Sequence, residues 1–429
     1  MKRPAAVVGL ILVGWLLSAA NQVDARLTRR LCRRCVPANA TAKLDARPGI
    51  TAKSSTAREK ARLASARVPR NQRWPAEFET QGALLLGCHQ LLHDAPQAFV
   101  DIAAATQGKV ALVALIGSTD DYRLAHRLLE ERGVTASGIH FLELPHDSMW
   151  ARDYGPLIVE QRDGTRAIYD ADYSTRGRPH DDAVPLGLAR HLKLPVVPVP
   201  HTVDGGNLLS NGRGMGIATY ALLERDRQGN VDEHEMRATL QGMLGITELV
   251  FLEPLSGEPT GHVDMFATLV APDTVVVGRI DPLLDAENAG ILDRNAARLA
   301  AVPTAAGPLR VVRIPMPARD DKTWRTYTNV AFANGVLLVP SYPGGDSALE
   351  DEALATYARL LPGWRIAPID ARALIACGGA LHCLTMNLPG IGPLPSFPPP
   401  MKLDDLVDEV LAGAEPWLTS PRGLRWRIQ

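Results

Sequence analysis

Short apolar runs recur along most of the chain, each bounded by glycine, proline or charged residues. They are ALLLG (83–87), KVALVALI (109–116), GIHFLEL (138–144), PLIVE (156–160), PVVPV (195–199), LVFL (249–252), TVVVGRI (274–280), LRVVRI (309–314), GVLLVP (335–340) and WRIAPI (364–369). Their length and β-branched content predict strands. Between several of them, the patterning predicts helices over 95–106, 119–133, 183–193, 288–301 and 347–361. Regular alternation of the two predicts an α/β fold. No tandem sequence repeat accompanies it. Glycine-rich connections such as DGGN (204–207) and YPGGD (342–346) fall at strand ends, where α/β proteins usually carry their chemistry.

The ends break this pattern. Lys2 and Arg3 precede an apolar run from Ala5 to Leu17 and then Ser18-Ala19-Ala20, the layout of an export leader over 1–20. The run is short for a bilayer span, and an uncleaved anchor is the alternative. The mature protein is therefore expected to be exported, periplasmic or secreted, with no stable membrane insertion. Residues 26–73 hold 14 Lys and Arg against Asp45 and Glu59, so 21–73 is expected to be a disordered basic linker or propeptide. The remaining body, 74–429, has 30 basic and 44 acidic residues, a net charge of about −14. That balance favours cationic ligands and argues against nucleic acid. A proline-rich stretch (GPLPSFPPP, 392–400) and a helical pattern at 403–413 come last, and no immunoglobulin-like module is expected after them.

Five cysteines leave at least one unpaired or paired between chains. Cys32 and Cys35 (CRRC) are expected to form a local disulfide, and Cys88 to be a packed core thiol. Cys383, in GGALHCLTMN (378–387), is open to four readings: half a disulfide, a metal ligand, buried filler or a nucleophile. Three further segments are dense in residues that are costly to bury. HDSMWARDYGP (146–156) sets Asp147, Arg152 and Asp153 around Trp150 and Tyr154, and HTVDGGNLLSNGRG (201–214) sets Asp204 and Asn207 about two glycines. TGHVDMFATLV (260–270) is expected to place His262 and Asp264 on one face at the start of a strand. Carboxylates entering apolar runs need partners. Singly, each residue also has a plain structural role: Asp147 and Asp204 as turn residues, His262 as a satisfied core histidine.

Together, WARD, GHVD and the late GG-x-x-H-C-x-T resemble the family of bacterial peptidyl-arginine deiminases and agmatine deiminases. WPAEFE (74–79) is similar to the opening of that family's domain, and TYTNVAFANGVLLVP (326–340) and GWRIAPIDARALIACGGALHCLTMNLP (363–389) to its final stretches. The resemblance runs roughly from Trp74 to Pro389. It implies a five-bladed, pseudo-symmetric α/β propeller of the pentein type with a central site. It also implies Cys383 as nucleophile, His262 as general acid/base, and Asp153 and Asp264 as the holders of a guanidinium. Trp150 and Asn329 match positions near the family's site. Asp204 stands where the agmatine branch tends to have Glu, which leaves its substrate-binding role open. Gly378 and Gly379 would let the backbone approach the substrate. The implied reaction is deimination through a cysteine thiouronium, and it needs no cofactor and no metal.

YSTRGRPHDDAVP (173–185) is similar to a stretch of the exported peptidyl-arginine branch. Arg176 and Arg178 would clamp a substrate carboxylate; the alternative is that they pair with Asp181 and Asp182. The expected partners are arginine-containing peptides or proteins with a free C-terminal carboxylate, converted to citrulline and ammonia. Small guanidines such as agmatine are the alternative. Three rivals share some of these residues: an amidinotransferase, a cysteine protease and an exported protein that binds arginine peptides without turnover.

Overall fold

The computed structural model describes residues 72–226, 229–319 and 321–391, Leu394, and the strands 417–419 and 425–427. The leader, Cys32, Cys35, nearly all of the basic tail and the helical pattern at 403–413 lie outside the described residues. The chain divides into two units, Met1–Pro395 and Ser396–Gln429. In the second, Trp417–Thr419 pairs antiparallel with Arg425–Arg427.

Among the described residues, the first unit holds five sheets of three or four strands and one two-stranded hairpin. The first contains β1 (Gln81–Gly87), followed by α1 (Cys88–Asp94), α2 (Pro96–Thr106), β2 (Ala111–Ile116), α3 (Thr119–Glu131) and β3 (Ile139–Glu143). The second follows α4 (Ala151–Tyr154) and runs β4 (Leu157–Glu160), β5 (Arg166–Asp172), α5 (Val184–Leu192), β6 (Val196–Thr202). The third runs β7 (Leu209–Ser210), β8 (Met215–Thr219), α6 (Ala221–Glu224), α7 (Glu233–Leu244), β9 (Glu248–Leu252). The fourth has β10 (Ala267–Ala271), β11 (Thr274–Arg279) and α8 (Ala286–Ala300). A small hairpin of β12 (Pro303–Thr304) and β13 (Gly307–Pro308) then leads to β14 (Arg310–Pro315). The fifth runs β15 (Ala331–Phe332), β16 (Val336–Ser341), α9 (Ser347–Leu360), β17 (Arg365–Asp370). After α10 (Arg372–Ala376) and α11 (Leu381–Leu384), β18 (Thr385–Pro389) returns to pair with β1.

One plan recurs in all five. The first strand of each sheet is antiparallel to the second, and the second is parallel to the third across a helical crossover. Parallel neighbours need such a crossover, and the helices it supplies bury the sheet faces. The ten apolar runs all form strands, and the five predicted helices all form. Local chemistry fixes their starts: Ser118, Asp232, Asp285 and Asp346 cap the first turns of α3, α7, α8 and α9 with their side chains. One apolar core joins the first and fifth sheets through Leu86, Phe99, Leu112, Phe332, Leu338 and Tyr357. A second joins the third and fourth through Ile217, Leu252, Phe266, Val275 and Leu292. Cys88 is fully buried in the first core, as expected of a packed thiol.

The side-chain amide of Gln72 donates to the carbonyls of Gly242 and Met243, and Arg73 bridges Glu79 and Glu160. Among the described residues, no helix is long and apolar enough to cross a membrane.

The feature that positions the chemistry is the stretch just before each sheet's leading strand. α4 precedes β4, a 3-10 turn at Gly205–Asn207 precedes β7, and another at Val263–Met265 precedes β10; Asn329 precedes β15 and α11 precedes β18. These five short segments bond to one another in a circuit. Gly206 N donates to Asp153 and Val263 N to Asn207. Thr328 Oγ1 donates to the Asp264 carbonyl, His382 N to the Asn329 carbonyl, and Arg152 Nε to the His382 carbonyl. His262 and Asp264 therefore do not begin a strand, which is a correction. Gly261 takes a φ of +65°, the Val263 amide is tied to Asn207, and the strand starts only at Ala267.

Candidate active site

Cys383 lies in the single turn of α11 and is 6% exposed. Asn329 Nδ2 donates to its Sγ at 3.2 Å, and the thiol reaches Asp264 Oδ2 at 3.4 Å. The amide oxygen of Asn329 accepts from the backbone N–H groups of His382 and Cys383 at 2.9 and 3.3 Å, so one side chain holds both the turn and its sulfur. Burial, with Asp264 and Asp153 close by, pushes the thiol well above its ordinary range. In this state the sulfur is protonated at neutral pH.

His262 stands opposite, between two acids. Its Nδ1 is 3.5 Å from Asp153 Oδ1 and its Nε2 is 3.4 Å from Asp204 Oδ2. Burial alone would lower its pKa, but Asp153, Asp204 and Asp264 outweigh that and raise it to about 10. It is therefore an imidazolium at neutral pH. Burial raises Asp153 to about 7, against the pull of His262, with Asp204 and Asp264 adding to the rise. Asp204 is lowered despite its burial, because it bonds His262 and both the amide and hydroxyl of Ser174.

Asp264 links the two sides. Its Oδ2 faces the thiol and accepts from His382 Nδ1 at 2.8 Å, whereas Oδ1 is buried with no hydrogen-bond partner among the described residues. A buried carboxylate oxygen left unpaired is costly, and it marks a place where a donor is wanted. Room for one is kept by Gly206. A Cβ there would lie 2.6 Å from Asp153 Oδ1, 2.7 Å from His262 Nδ1 and 3.1 Å from Asp264 Oδ2.

Around this group runs a buried ionic chain. His382 Nε2 meets Glu77 at 3.0 Å, and Glu77 accepts from Arg152 Nη1 at 2.7 Å. Arg152 Nη2 then donates to Asn387 at 2.8 Å. Burial opposes ionisation of Glu77, but Arg152 and His382 lower it to about 2. With a carboxylate on each nitrogen, His382 is raised in spite of burial and of Arg152. Glu77, Arg152 and His382 all lie in segments that carry motif resemblance, yet no local pattern assigns them a role. Their partners are up to 305 residues apart.

Cys383, His262, Asp153, Asp264, Asp204 and Asn329 are thus brought together. Trp150 joins them by packing: a Cβ on Gly379 would lie 2.6 Å from its ring and 2.9 Å from Cys383 Cβ. Gly379 therefore has no room for a side chain between the indole and the cysteine. Gly378 takes a φ of +104°, the left-handed region that favours glycine. The two clamp arginines diverge. Arg178 is half-buried and donates to Tyr173 Oη at 3.1 Å, whereas Arg176 is exposed. Asp181 is occupied by Ser148 and the Asp147 amide, and Asp182 by the Tyr173 amide.

A cysteine, an imidazolium and two converging carboxylates can bind a cation and attack it. Comparison with known proteins points the same way. A family model described as Porphyromonas-type peptidyl-arginine deiminase matches residues 73–389. A Photobacterium profundum protein provisionally named agmatine deiminase is 23% identical over 361 residues, 74% of this chain and 96% of its own. A solved structure from Porphyromonas gingivalis, provisionally named an arginine deiminase, is 26% identical. It covers 75% of this chain and 99% of its own, with a TM-score of 0.65. The agmatine deiminase of Enterococcus faecalis superposes with a TM-score of 0.64 at 20% identity, covering 74% and 96%.

Proposed function

Because the chain belongs to the Porphyromonas-type peptidyl-arginine deiminase family, hydrolases of guanidino C–N bonds, we propose that it converts arginine with a free carboxylate, at the C-terminus of peptides or proteins, into citrulline and ammonia. The observation that carries the reaction class is the unpartnered Asp264 Oδ1 beside the Cys383 thiol and opposite Asp153. A planar guanidinium offers N–H groups in the paired geometry that two carboxylates accept.

Substrate binding also supplies what the resting thiol lacks. Asp264 and Asp153 hold Cys383 in its protonated form. A guanidinium between them cancels that field. A cation ~4 Å from the sulfur is worth up to ~4 kcal/mol at an effective dielectric of ~20, roughly three pKa units. The thiol releases its proton to solvent as the guanidinium binds, the thiolate adds to the guanidinium carbon, and His262 gives its own proton to the departing nitrogen, releasing ammonia. The neutral imidazole next takes a proton from water. That hydroxide displaces the thiolate from the thiouronium carbon, leaving the ureido group of citrulline. The recurring strand plan and the circuit of five segments support reading the five sheets as blades of a five-bladed propeller. The leader-like N-terminus supports an exported protein.

The carboxylate preference rests on Arg178, a cation held by Tyr173 one residue before the Ser174 that bonds Asp204. Agmatine has no anion to meet it. A small-guanidine substrate is the second reading, because relatives such as the E. faecalis enzyme carry the agmatine deiminase name. Ammonia release should be measured with a C-terminal-arginine peptide, its amidated twin, free arginine and agmatine. The first should be preferred, Cys383→Ala should bind it without turnover, and Arg178→Ala should raise its KM about tenfold or more while sparing the amidated twin. Preference for agmatine would overturn the carboxylate reading and keep the nucleophile. Silence on all four would overturn the reaction.

A further inference from the structure

We propose that His89, His93 and Asp121 form a binding site for a divalent transition-metal ion of the zinc, cobalt or nickel type, separate from the reacting centre and independent of the reaction proposed above. His89 and His93 are one helical turn apart on α1, so their rings share a face, with centroids 5.5 Å apart. Both side chains are about half exposed, at 50% and 56%. Asp121, in the first turn of α3, is only 2% exposed and points its carboxylate at them.

Three donor atoms converge there. His89 Nδ1 is 2.9 Å from Asp121 Oδ2 and 3.1 Å from Oδ1, and His93 Nε2 is 3.5 Å from Oδ1. All three groups offer ligand atoms within 4.8 Å of one another. A tetrahedral ion with bonds of about 2.0–2.2 Å sets its ligands about 3.3–3.5 Å apart. The fit therefore needs only small rotations of two rings that solvent leaves free to turn. The carboxylate is already fixed from behind, because Gly117 N donates to Oδ2 at 2.9 Å. Such outer contacts orient a ligand before the ion arrives.

The chemistry of the set selects the class of ion. Two imidazoles and one carboxylate suit zinc and its neighbours, whereas magnesium and calcium favour oxygen throughout. A third histidine nearby does not join. His146 Nε2 accepts from the His89 amide at 3.1 Å and its Nδ1 donates to the Leu144 carbonyl at 2.9 Å, so both nitrogens are used. Water would complete the coordination. In the metal-free arrangement two imidazoles compete for one carboxylate, and His93 stays at the longer distance; an ion satisfies all three at once. α1 also holds the segment ahead of Trp150, since Gln90 Oε1 accepts from the Met149 amide at 3.2 Å. A bound ion would brace that segment by tying α1 to α3.

The test is titration of the chelator-dialysed full chain with Zn²⁺ by calorimetry and with Co²⁺ by visible absorption. One ion should bind whose cobalt spectrum has ligand-field bands and no thiolate charge-transfer band, which separates this site from the cysteines. His93→Ala should weaken that ion at least about tenfold. The double variant His89→Ala/His93→Ala should lose it while keeping the circular dichroism and thermal transition of the metal-free parent. Equal binding by the double variant, a thiolate band on every bound cobalt, or no binding at millimolar ion would overturn the assignment.

Discussion

His262 carries one positive charge between Asp153 and Asp204, and the two acids do not share it equally. Asp204 has Ser174 as well and stays ionised; among the described residues Asp153 has only His262 and the Gly206 amide, and it rises to about 7. A carboxyl must be ionised to hold a guanidinium. KM should therefore fall as pH rises through about 7, and Asp153→Asn should raise KM and flatten that dependence. Steady-state kinetics across about pH 6–8 would check it; a pH-independent KM in the parent would remove Asp153 from substrate binding. His262, at about 10, keeps its proton over this window, so the proposed donor to the leaving nitrogen is not what titrates. For stability the two groups act in the same direction, because each has its pKa raised in the fold. Asp153 favours its acid form in the fold, so its term weakens as pH rises from the unfolded value of 3.8 towards 7. The His262 contribution is complete below 6.5 and is lost only as pH rises through about 10.

At the level of elements, the five short segments ahead of the leading strands hold the candidate reacting groups, and their tolerances are tight. Gly206→Ala is the sharpest probe, because its Cβ would press on Asp153, His262 and Asp264 together. It should lower kcat/KM by about 100-fold for about 1–3 kcal/mol of stability, checked by kinetics and urea unfolding of the same preparation. Unchanged kinetics would mean that this turn does not set the spacing. The sheets that carry these segments were largely legible in the sequence, because most strands are buried on both faces and read as apolar runs. β5 (RAIYDAD), β8 (MGIAT) and β18 (TMNLP) were not, since charge, small residues or buried polar groups interrupt them. Asn387 in β18 is polar because it meets Arg152 and the Phe332 carbonyl, a need that no local pattern reveals. Motif resemblance named residues on or beside all five segments, and the fold brings those residues together. The alternation argument for His262 and Asp264 failed because it holds only in extended backbone, and their segment is a turn. The Glu77–His382–Asp264 chain stayed hidden because it exists only once distant segments meet.

Across the molecule, the decisive contact is between β1 and β18. The first sheet takes its leading strand from residues 385–389, and Leu84 and Asn387 face each other in that ladder. Ending the chain at Leu384 would strip β1 of its antiparallel partner and Arg152 of Asn387. Such a truncation should give no cooperative thermal transition, monitored by circular dichroism; a folded product would show that the ladder is dispensable. The same closure has a consequence for how the protein is born. A ribosome issues Asp153 and then, 230 residues after Arg152, the His382 turn that stations the thiol. On the proposed reaction, the acids that would hold the cation are therefore made well before the thiol that would attack it, and the first sheet closes only once residues 385–389 have paired with β1. On that reading the order of synthesis delays reactivity until the Cys383 turn has joined the four earlier segments.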